Sequence, residues 1–212
     1  MKNETVEFYT NPQSRSRIVR WMLEELDIPY EVKVVAYGKE MKSEPYLSIN
    51  PMGKVPTIIH KRKVITECAA ICAYLADAFP EKKLAPSIDQ RSAYYRWMFF
   101  AAGPLESAVT NRTLGFEVPS NKEAVAGYGN FETTINTLCK AVTESPFIAG
   151  DSFSAADVYV GSHIGWGLEF GTIPKHTELS EYFDKLKNRE AYLKAKHLDD
   201  TLAQSIESEK KD

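Results

Sequence analysis

The sequence predicts an α/β domain followed by an all-helical domain. Segments whose apolar residues alternate as in strands are interleaved with segments of helical spacing through the first part of the chain. A polar stretch over 81–89, which contains Pro86, then separates two different periodicities, and beyond it only helical spacing recurs. We therefore expect an α/β domain over residues 1–80, a linker over 81–89 and a helical domain over 90–212.

The first half of the α/β domain follows from simple alternation and spacing. The turn formers Thr10-Asn11-Pro12 end the first alternating run, and Ile28-Pro29 ends the first helical run. In chain order, the expected elements are a strand over 5–9, a helix over 14–26, a strand over 30–34 and a short helix or turn over 43–49.

The second half of this domain is the most informative stretch of the chain. Val55-Pro56 opens a short apolar run, and a strand accepts proline at its first residue. The basic run 61–63 predicts a hairpin turn. Thr66 is expected to be the N-cap of a helix that continues until Pro80. The unit is a proline-led hairpin followed by the N-terminus of a helix.

The helical domain contains one specific local signal. Ser154 with Asp157 three residues later forms a capping box at the start of a helix dotted with glycines, which implies close packing against a neighbour. Gly103-Pro104 is expected to bend another helix. The expected helices cover 94–105, 121–142, 154–171, 179–186 and 191–196, with a frayed tail after Ala203.

Composition excludes several classes of function. The 212 residues carry 26 basic and 29 acidic side chains, for a net charge of −3, and 43% are hydrophobic. A chain with this hydrophobic content can bury a core. Its small net charge creates no electrostatic field strong enough to indicate binding to nucleic acid or to a membrane surface. No apolar run approaches a membrane span, and the first residues lack the features of a secretory signal, so a cytoplasmic protein is expected.

Cysteine and histidine usage predicts neither a disulfide framework nor a metal site. The three cysteines are odd in number and form no Cys-x-x-Cys pair. The four histidines are widely scattered along the chain, so we expect no metal site.

The hairpin and helix offer three features to a small extended ligand. A cis proline at 56 would turn the Val55 amide and carbonyl outward, where an extended peptide can add like a strand. The free amides after Thr66 would attract a carboxylate. Glu67 could pair with an adjacent ammonium. Together these features describe a γ-glutamyl peptide.

At these residues the chain resembles the glutathione S-transferase superfamily. The resemblance rests on Tyr9–Arg17, on Asn-Pro-Met-Gly-Lys-Val-Pro at 50–56, on Glu67-Cys68 and on Ser154-Ala-Ala-Asp157. It covers nearly the whole length. It implies a thioredoxin-like first domain, glutathione as co-substrate, and a homodimer with the helix over 91–111 at the interface.

The resemblance also assigns site residues. For glutathione binding it implies Lys54, Val55, Pro56, Glu67 and Cys68. Cys68 stands where most relatives have serine, so a side-chain hydroxyl toward the glutamyl carboxylate is missing and backbone amides must replace it. For a pocket that receives the second substrate, the residues are Asn111, Phe116 and Trp166. Arg17 is a further candidate, beside Lys54, to neutralise the glycyl carboxylate.

The resemblance implies Ser14 as the catalytic residue, because serine-type relatives place their catalytic serine within one residue of it. The glutathione thiolate is the nucleophile, and a hydroxyl at the first turn of a helix would stabilise it by a hydrogen bond with help from the helix dipole. Ser16 and Tyr9 remain rivals for this role, and Thr10 and Asn11 are weaker alternatives.

The resemblance therefore implies a glutathione transferase that conjugates the thiolate to a small hydrophobic electrophile. Two other functions remain open. The same site would serve glutathione-dependent reduction of peroxides or disulfides, which differs only in the acceptor. A non-catalytic partner-binding protein could also keep the fold. The apolar pocket does not define the electrophile.

Overall fold

The computed structural model describes residues 5–209. A four-stranded mixed sheet in the order β2-β1-β3-β4 forms the centre of the first part of the chain. β1 runs parallel to β2 and antiparallel to β3, and β4 returns antiparallel to β3. The strands are β1 Val6–Thr10, β2 Tyr30–Val34, β3 Thr57–His60 and β4 Lys63–Ile65, and the helices among them are α1 Ser16–Leu26, α2 Tyr46–Ile49 and α3 Cys68–Ala78.

This order confirms the predicted thioredoxin-like succession of strands and helices. Val6, Phe8 and Thr10 are buried on one face of β1, as period-two alternation requires. Because β1 and β2 are parallel, α1 serves as their crossover. The two-residue turn between β3 and β4 has positive φ angles at Lys61 and Arg62, the geometry that matches the twist of a hairpin.

The chain divides into two compact units. The described residues up to Phe79 and those from Arg189 onward form the first, and Pro80–Asn188 forms the second. The helix α9, Glu190–Glu209, therefore belongs to the same compact unit as the sheet, whereas the sequence predicted it in the helical domain over 90–212.

Charged contacts fix α9 against α1. Arg20 of α1 is 3% exposed, and its Nε lies 3.1 Å from Oδ1 of Asp199, which is 1% exposed. The Arg189 guanidinium, immediately before α9, donates to both carboxylate oxygens of Glu25, at 2.6 and 2.8 Å. Trp21 and Tyr192 add an edge-to-face ring contact with centroids 4.9 Å apart. The tail predicted to fray after Ala203 is instead helical through Glu209.

The second unit is built from helices. They are α4 Ser92–Phe100, α5 Glu106–Thr113, α6 Phe131–Ala141, α7 Ala155–Phe170 and α8 Thr177–Leu186. A wide helical turn over Ala101–Leu105 joins α4 to α5 and contains Pro104, where the bend was predicted. Close packing of the glycine-dotted helix is confirmed, because a Cβ at Gly165 would lie 2.4 Å from the Phe183 ring.

Two predicted helix starts were wrong. The helix predicted from residue 121 begins only at Phe131, because Gly129 adopts a φ of 68° and the Asn130 side chain accepts a hydrogen bond from the Thr133 amide as the N-cap. α3 begins at Cys68 with Glu67 as its N-cap, so Thr66 does not have the predicted role.

The capping box of α7 is confirmed, and it is part of a larger buried network. The Asp157 carboxylate is fully buried. Its Oδ2 accepts from the Ser154 amide at 2.8 Å and from the Ser154 hydroxyl at 2.9 Å. Its Oδ1 accepts from the Ile148 amide at 2.8 Å and from the Tyr182 hydroxyl at 2.6 Å. One side chain thus connects the loop before α7 to α8.

No helix in the described part of the chain combines the length and the apolar character needed to cross a membrane.

Candidate active site

The turn between β1 and α1 holds the predicted catalytic hydroxyl. Ser14 is half-buried, and its Oγ lies 2.7 Å from the Asn11 carbonyl and 2.8 Å from the Ser16 Oγ. The Ser14 Oγ also accepts from the Ser16 amide at 3.0 Å. A serine hydroxyl has a single proton, so it can donate to only one of these oxygens at a time and can rotate toward another acceptor.

Asn11 fixes the shape of this turn. Its Nδ2 donates to the Val35 carbonyl at 3.1 Å, and its Oδ1 accepts from the Gln13 amide at 3.0 Å. The side chain is buried, so both bonds are shielded from water. Asn11 therefore supports the turn that carries Ser14, and one of its two Nδ2 protons is committed to the Val35 carbonyl.

The two rival hydroxyls have different surroundings. Ser16 is fully buried behind Ser14. The Tyr9 hydroxyl donates to the Glu7 carboxylate at 3.2 Å, and its ring packs on Tyr46 with centroids 5.8 Å apart. Burial and then the neighbouring Glu7 raise the pKa of Tyr9. Of the three hydroxyls, only that of Ser14 is both partly accessible and placed at the start of α1.

The Val55–Pro56 peptide bond is cis, as the sequence predicts. The pairing of β1 with β3 stops at Tyr9 and Thr57. Within residues 5–209, the Val55 amide and carbonyl have no hydrogen-bond partner. The backbone of Val55 is therefore an open edge at the end of β3, of the kind to which an extended peptide can add.

Two side chains outside the predicted site hold this edge in place. The Lys54 carbonyl accepts from the Tyr46 hydroxyl at 2.6 Å and from the Asn50 amide at 2.8 Å. Both side chains also reach the Thr57 hydroxyl, at 2.9 and 3.2 Å. Sequence reasoning missed Tyr46 and Asn50, although Asn50 opens the Asn-Pro-Met-Gly-Lys-Val-Pro segment.

Gly53 in the same segment is also required by the geometry. Its φ is 56°, and a Cβ there would lie 2.6 Å from the Met41 carbonyl oxygen. The Glu44–Pro45 bond nearby is a second cis peptide, which the sequence analysis did not predict.

The N-terminus of α3 lies beside the turn that carries Ser14. The Cys68 sulfur is 3.7 Å from the Arg15 carbonyl oxygen, so the first residues of α1 and α3 are neighbours. Glu67 is exposed and has a φ of 63°, a conformation that non-glycine residues rarely adopt and that clusters at functional sites. Ser14, the Val55 edge and the Glu67-Cys68 pair all belong to the first compact unit.

The two candidate cations differ in their partners. Lys54 is exposed beside Val55. Arg17 donates to the Asp200 carboxylate of α9 at 2.7 Å and to the Pro12 carbonyl. Because the Arg17 guanidinium is already paired, it is a poor candidate for the glycyl carboxylate, and Lys54 is the better one.

The three residues predicted for the second-substrate pocket are only partly brought together. Asn111 accepts the Phe116 amide at 2.8 Å through its carbonyl, and its side chain donates to the Tyr128 hydroxyl at 3.0 Å. Phe116 is 63% exposed. Trp166 lies half-buried on α7, and across residues 5–209 no hydrogen bond or ring contact links it to Asn111 or Phe116.

Comparison with known proteins identifies relatives of this chain. Residues 14–78 match the family described as glutathione S-transferase, N-terminal domain. The chain is 26% identical over 207 residues to glutathione S-transferase hmp2 of Hypomyces subiculosus, covering 90% of this chain and 97% of the relative. It is 30% identical over 155 residues to glutathione S-transferase 1 of Schizosaccharomyces pombe, covering 68% of this chain and 66% of the relative.

A solved structure shows the same fold. The sphingomonad glutathione S-transferase complexed with glutathione superposes with a TM-score of 0.72 at 24% identity, covering 91% of this chain and 98% of that one. The shared fold makes the first unit thioredoxin-like. The chain belongs to the glutathione S-transferase superfamily.

Proposed function

We propose that this protein is a glutathione transferase, which conjugates the thiolate of glutathione to a small hydrophobic electrophile. The observation that carries the proposal is the position of Ser14 in one compact unit with the open Val55 backbone and the Glu67-Cys68 pair. Glutathione binds as an added strand along Val55, with its γ-glutamyl end at Glu67. Ser14 holds the thiolate, and Lys54 pairs with the glycyl carboxylate.

Two measurements test the proposal. The protein should be retained on immobilised glutathione and be eluted by free glutathione. It should also accelerate the reaction of glutathione with a chloronitrobenzene, measured as the absorbance of the thioether product. Retention without turnover of any electrophile would favour a non-catalytic binding protein instead.

Glu67→Gln should weaken glutathione binding. The substitution removes a charge-assisted bond to the γ-glutamyl ammonium, worth about 1.5–3 kcal/mol, or a rise in Kd of roughly 10- to 150-fold. Calorimetry of glutathione binding measures the effect. Glu81→Gln is the matched control, because Glu81 is also an exposed glutamate but lies in the other compact unit. Equal dissociation constants for wild type and Glu67→Gln would remove Glu67 from the site.

Cys68 supports a second candidate function, the glutathione-dependent reduction of disulfides or peroxides. Its sulfur lies against the Arg15 carbonyl, beside the turn that carries Ser14. In such a reaction the bound thiolate attacks one sulfur of a disulfide, forms a mixed disulfide and releases the other sulfur as a thiol. If Cys68 takes part in this reaction, Cys68→Ser should lower reductase turnover more than it lowers conjugation, since serine keeps a side-chain donor toward the glutamyl carboxylate.

Homodimer formation through the helix over 91–111 is part of the proposal. On α4, Tyr95 and Phe99 are one turn apart, and they are 45% and 71% exposed. Large apolar side chains on one exposed face are typical of an interface. A cytoplasmic location and a role in detoxification follow from the proposed activity.

Phe99→Lys should therefore shift the protein from dimer to monomer. A central aromatic contact is worth about 2 kcal/mol or more, and a charge in its place must also be desolvated. Light scattering coupled to size exclusion measures the mass. Val125→Lys is the control, since Val125 is 82% exposed and lies outside 91–111. A wild-type protein that is monomeric, or a Phe99→Lys variant that stays dimeric, would contradict this interface.

A further inference from the structure

Three potential metal ligands meet in the helical unit, far along the chain from the candidate active-site residues. Cys139 lies on α6, His176 immediately precedes α8, and Glu178 is in the first turn of α8. One ligand atom from each of the three lies within 4.8 Å of the other two. In the described part of the chain, 5–209, this is the one set of three such side chains that converges.

The backbone positions of these ligands are fixed by the core. Leu138 precedes Cys139 on α6, Leu179 follows Glu178 on α8, and both leucines are fully buried. Cys139 and His176 are half-buried, and Glu178 is exposed. The ligand atoms therefore lie at the edge of the core, where an ion can enter from solvent.

The two ligands at the start of α8 lack side-chain partners in the described part of the chain. Among residues 5–209, neither the His176 ring nor the Glu178 carboxylate has a side-chain hydrogen bond or ion pair. Both groups are therefore available to a cation.

The donor types select a class of metal. Thiolate sulfur, imidazole nitrogen and carboxylate oxygen are the ligands of zinc, whereas calcium and magnesium require oxygen donors. Zinc bond lengths of about 2.0–2.3 Å place tetrahedral ligands about 3.5 Å apart. The three ligand atoms already lie within 4.8 Å of one another, so small side-chain movements bring them to this spacing. Three protein ligands leave the fourth tetrahedral position for water.

We infer that Cys139, His176 and Glu178 form a binding site for a zinc-class divalent cation, independent of the glutathione site. From the sequence no metal site is expected, because the four histidines are scattered along the chain. The fold changes this expectation, because it brings Cys139 of α6 to His176 and Glu178, which lie together at the start of α8.

Cobalt provides a direct test, because a thiolate bound to Co²⁺ gives a charge-transfer band in the near ultraviolet. Metal-free full-length protein, without glutathione, is titrated with Co²⁺ and then with Zn²⁺. We expect the band to appear with one ion per chain and to disappear as Zn²⁺ replaces Co²⁺. Cys139→Ser should abolish the band, and His176→Gln should weaken binding at least about tenfold, since even outer-shell partners of a metal are worth that much.

Cys68→Ser is the matched control, because Cys68 is also half-buried and lies in the other unit. It should keep the full band. A second measurement uses only the wild-type protein: Zn²⁺ should protect Cys139, but not Cys68, from alkylation, as mapped by mass spectrometry. The inference is overturned if the wild-type protein gives no band, if Cys139→Ser keeps it, or if Zn²⁺ leaves the alkylation of Cys139 unchanged.

Discussion

Asp157→Ala should lower the free energy of unfolding by roughly 3–5 kcal/mol. Removing the shared buried acceptor has a cost of this size, because several donors are left unsatisfied without gaining water, at about 1–3 kcal/mol for each such group before the structure relaxes. Here the donors are the Ser154 amide and hydroxyl, the Ile148 amide and the Tyr182 hydroxyl. For a chain of this length, the loss corresponds to a fall in Tm of about 10 °C.

Calorimetry or circular dichroism measures this change, and two variants serve as controls. Tyr182→Phe removes a single donor, so its effect should be about 1–2 kcal/mol. Asp151→Ala removes an exposed carboxylate from the loop before α7 and should be nearly neutral. Glutathione affinity should stay unchanged in the folded Asp157→Ala variant. A variant that keeps its Tm but loses affinity would place Asp157 in the binding site.

Ser14→Ala should lower turnover at neutral pH by about 100-fold. The substitution removes a hydroxyl that donates a hydrogen bond to the thiolate, and the loss of one such donor to an anion in an active site has an effect of this size. A hydrogen bond to the thiolate favours the charged form, so its loss raises the pKa of the bound thiol. Less thiolate is then present at neutral pH. Glutathione affinity should change little, since the backbone contacts at Val55 remain.

The pH profile distinguishes this role from a structural one. In Ser14→Ala the inflection of the rate should move to higher pH, and raising the pH should restore part of the activity. Ultraviolet titration of the bound thiolate gives its pKa directly. Ser16→Ala and Tyr9→Phe are the controls, with smaller expected shifts, because Ser16 is fully buried and the Tyr9 hydroxyl donates to Glu7. If Tyr9→Phe alone shifted the pKa, the serine assignment would be wrong.

The α/β unit could be predicted from the sequence because its signals are local. Alternation in β1 and β2, the proline before β3 and the basic turn before β4 each specify an element within a few residues. The start of the helix predicted over 121–142 was wrong because helical spacing alone does not show that a segment is helical. Val125 and Tyr128 have helical spacing, but Val125 is 82% exposed, and the glycine at 129 with a φ of 68° stops any helix before Asn130.

α9 could not be predicted in full because charge, and not apolar spacing, marks part of its buried face. Asp199 is buried by pairing with Arg20, and a search for hydrophobic periodicity passes over such a residue. The candidate site likewise has one part that the sequence shows and one part that it does not. Val55-Pro56 is visible as a motif, whereas the anchoring of the Lys54 carbonyl by Tyr46 and Asn50 depends on contacts made only after folding.

The packing of α9 on α1 also determines the order of events during synthesis. Glu25 and Arg189 are 164 residues apart, and Arg20 and Asp199 are 179 apart. At about 5–20 residues per second, a ribosome needs roughly 10–35 s to translate that interval. Throughout it, Trp21, which is 1% exposed in the folded protein, lacks its partner Tyr192. The face of α1 that packs on α9 therefore stays without its partner helix until nearly the whole chain has been made.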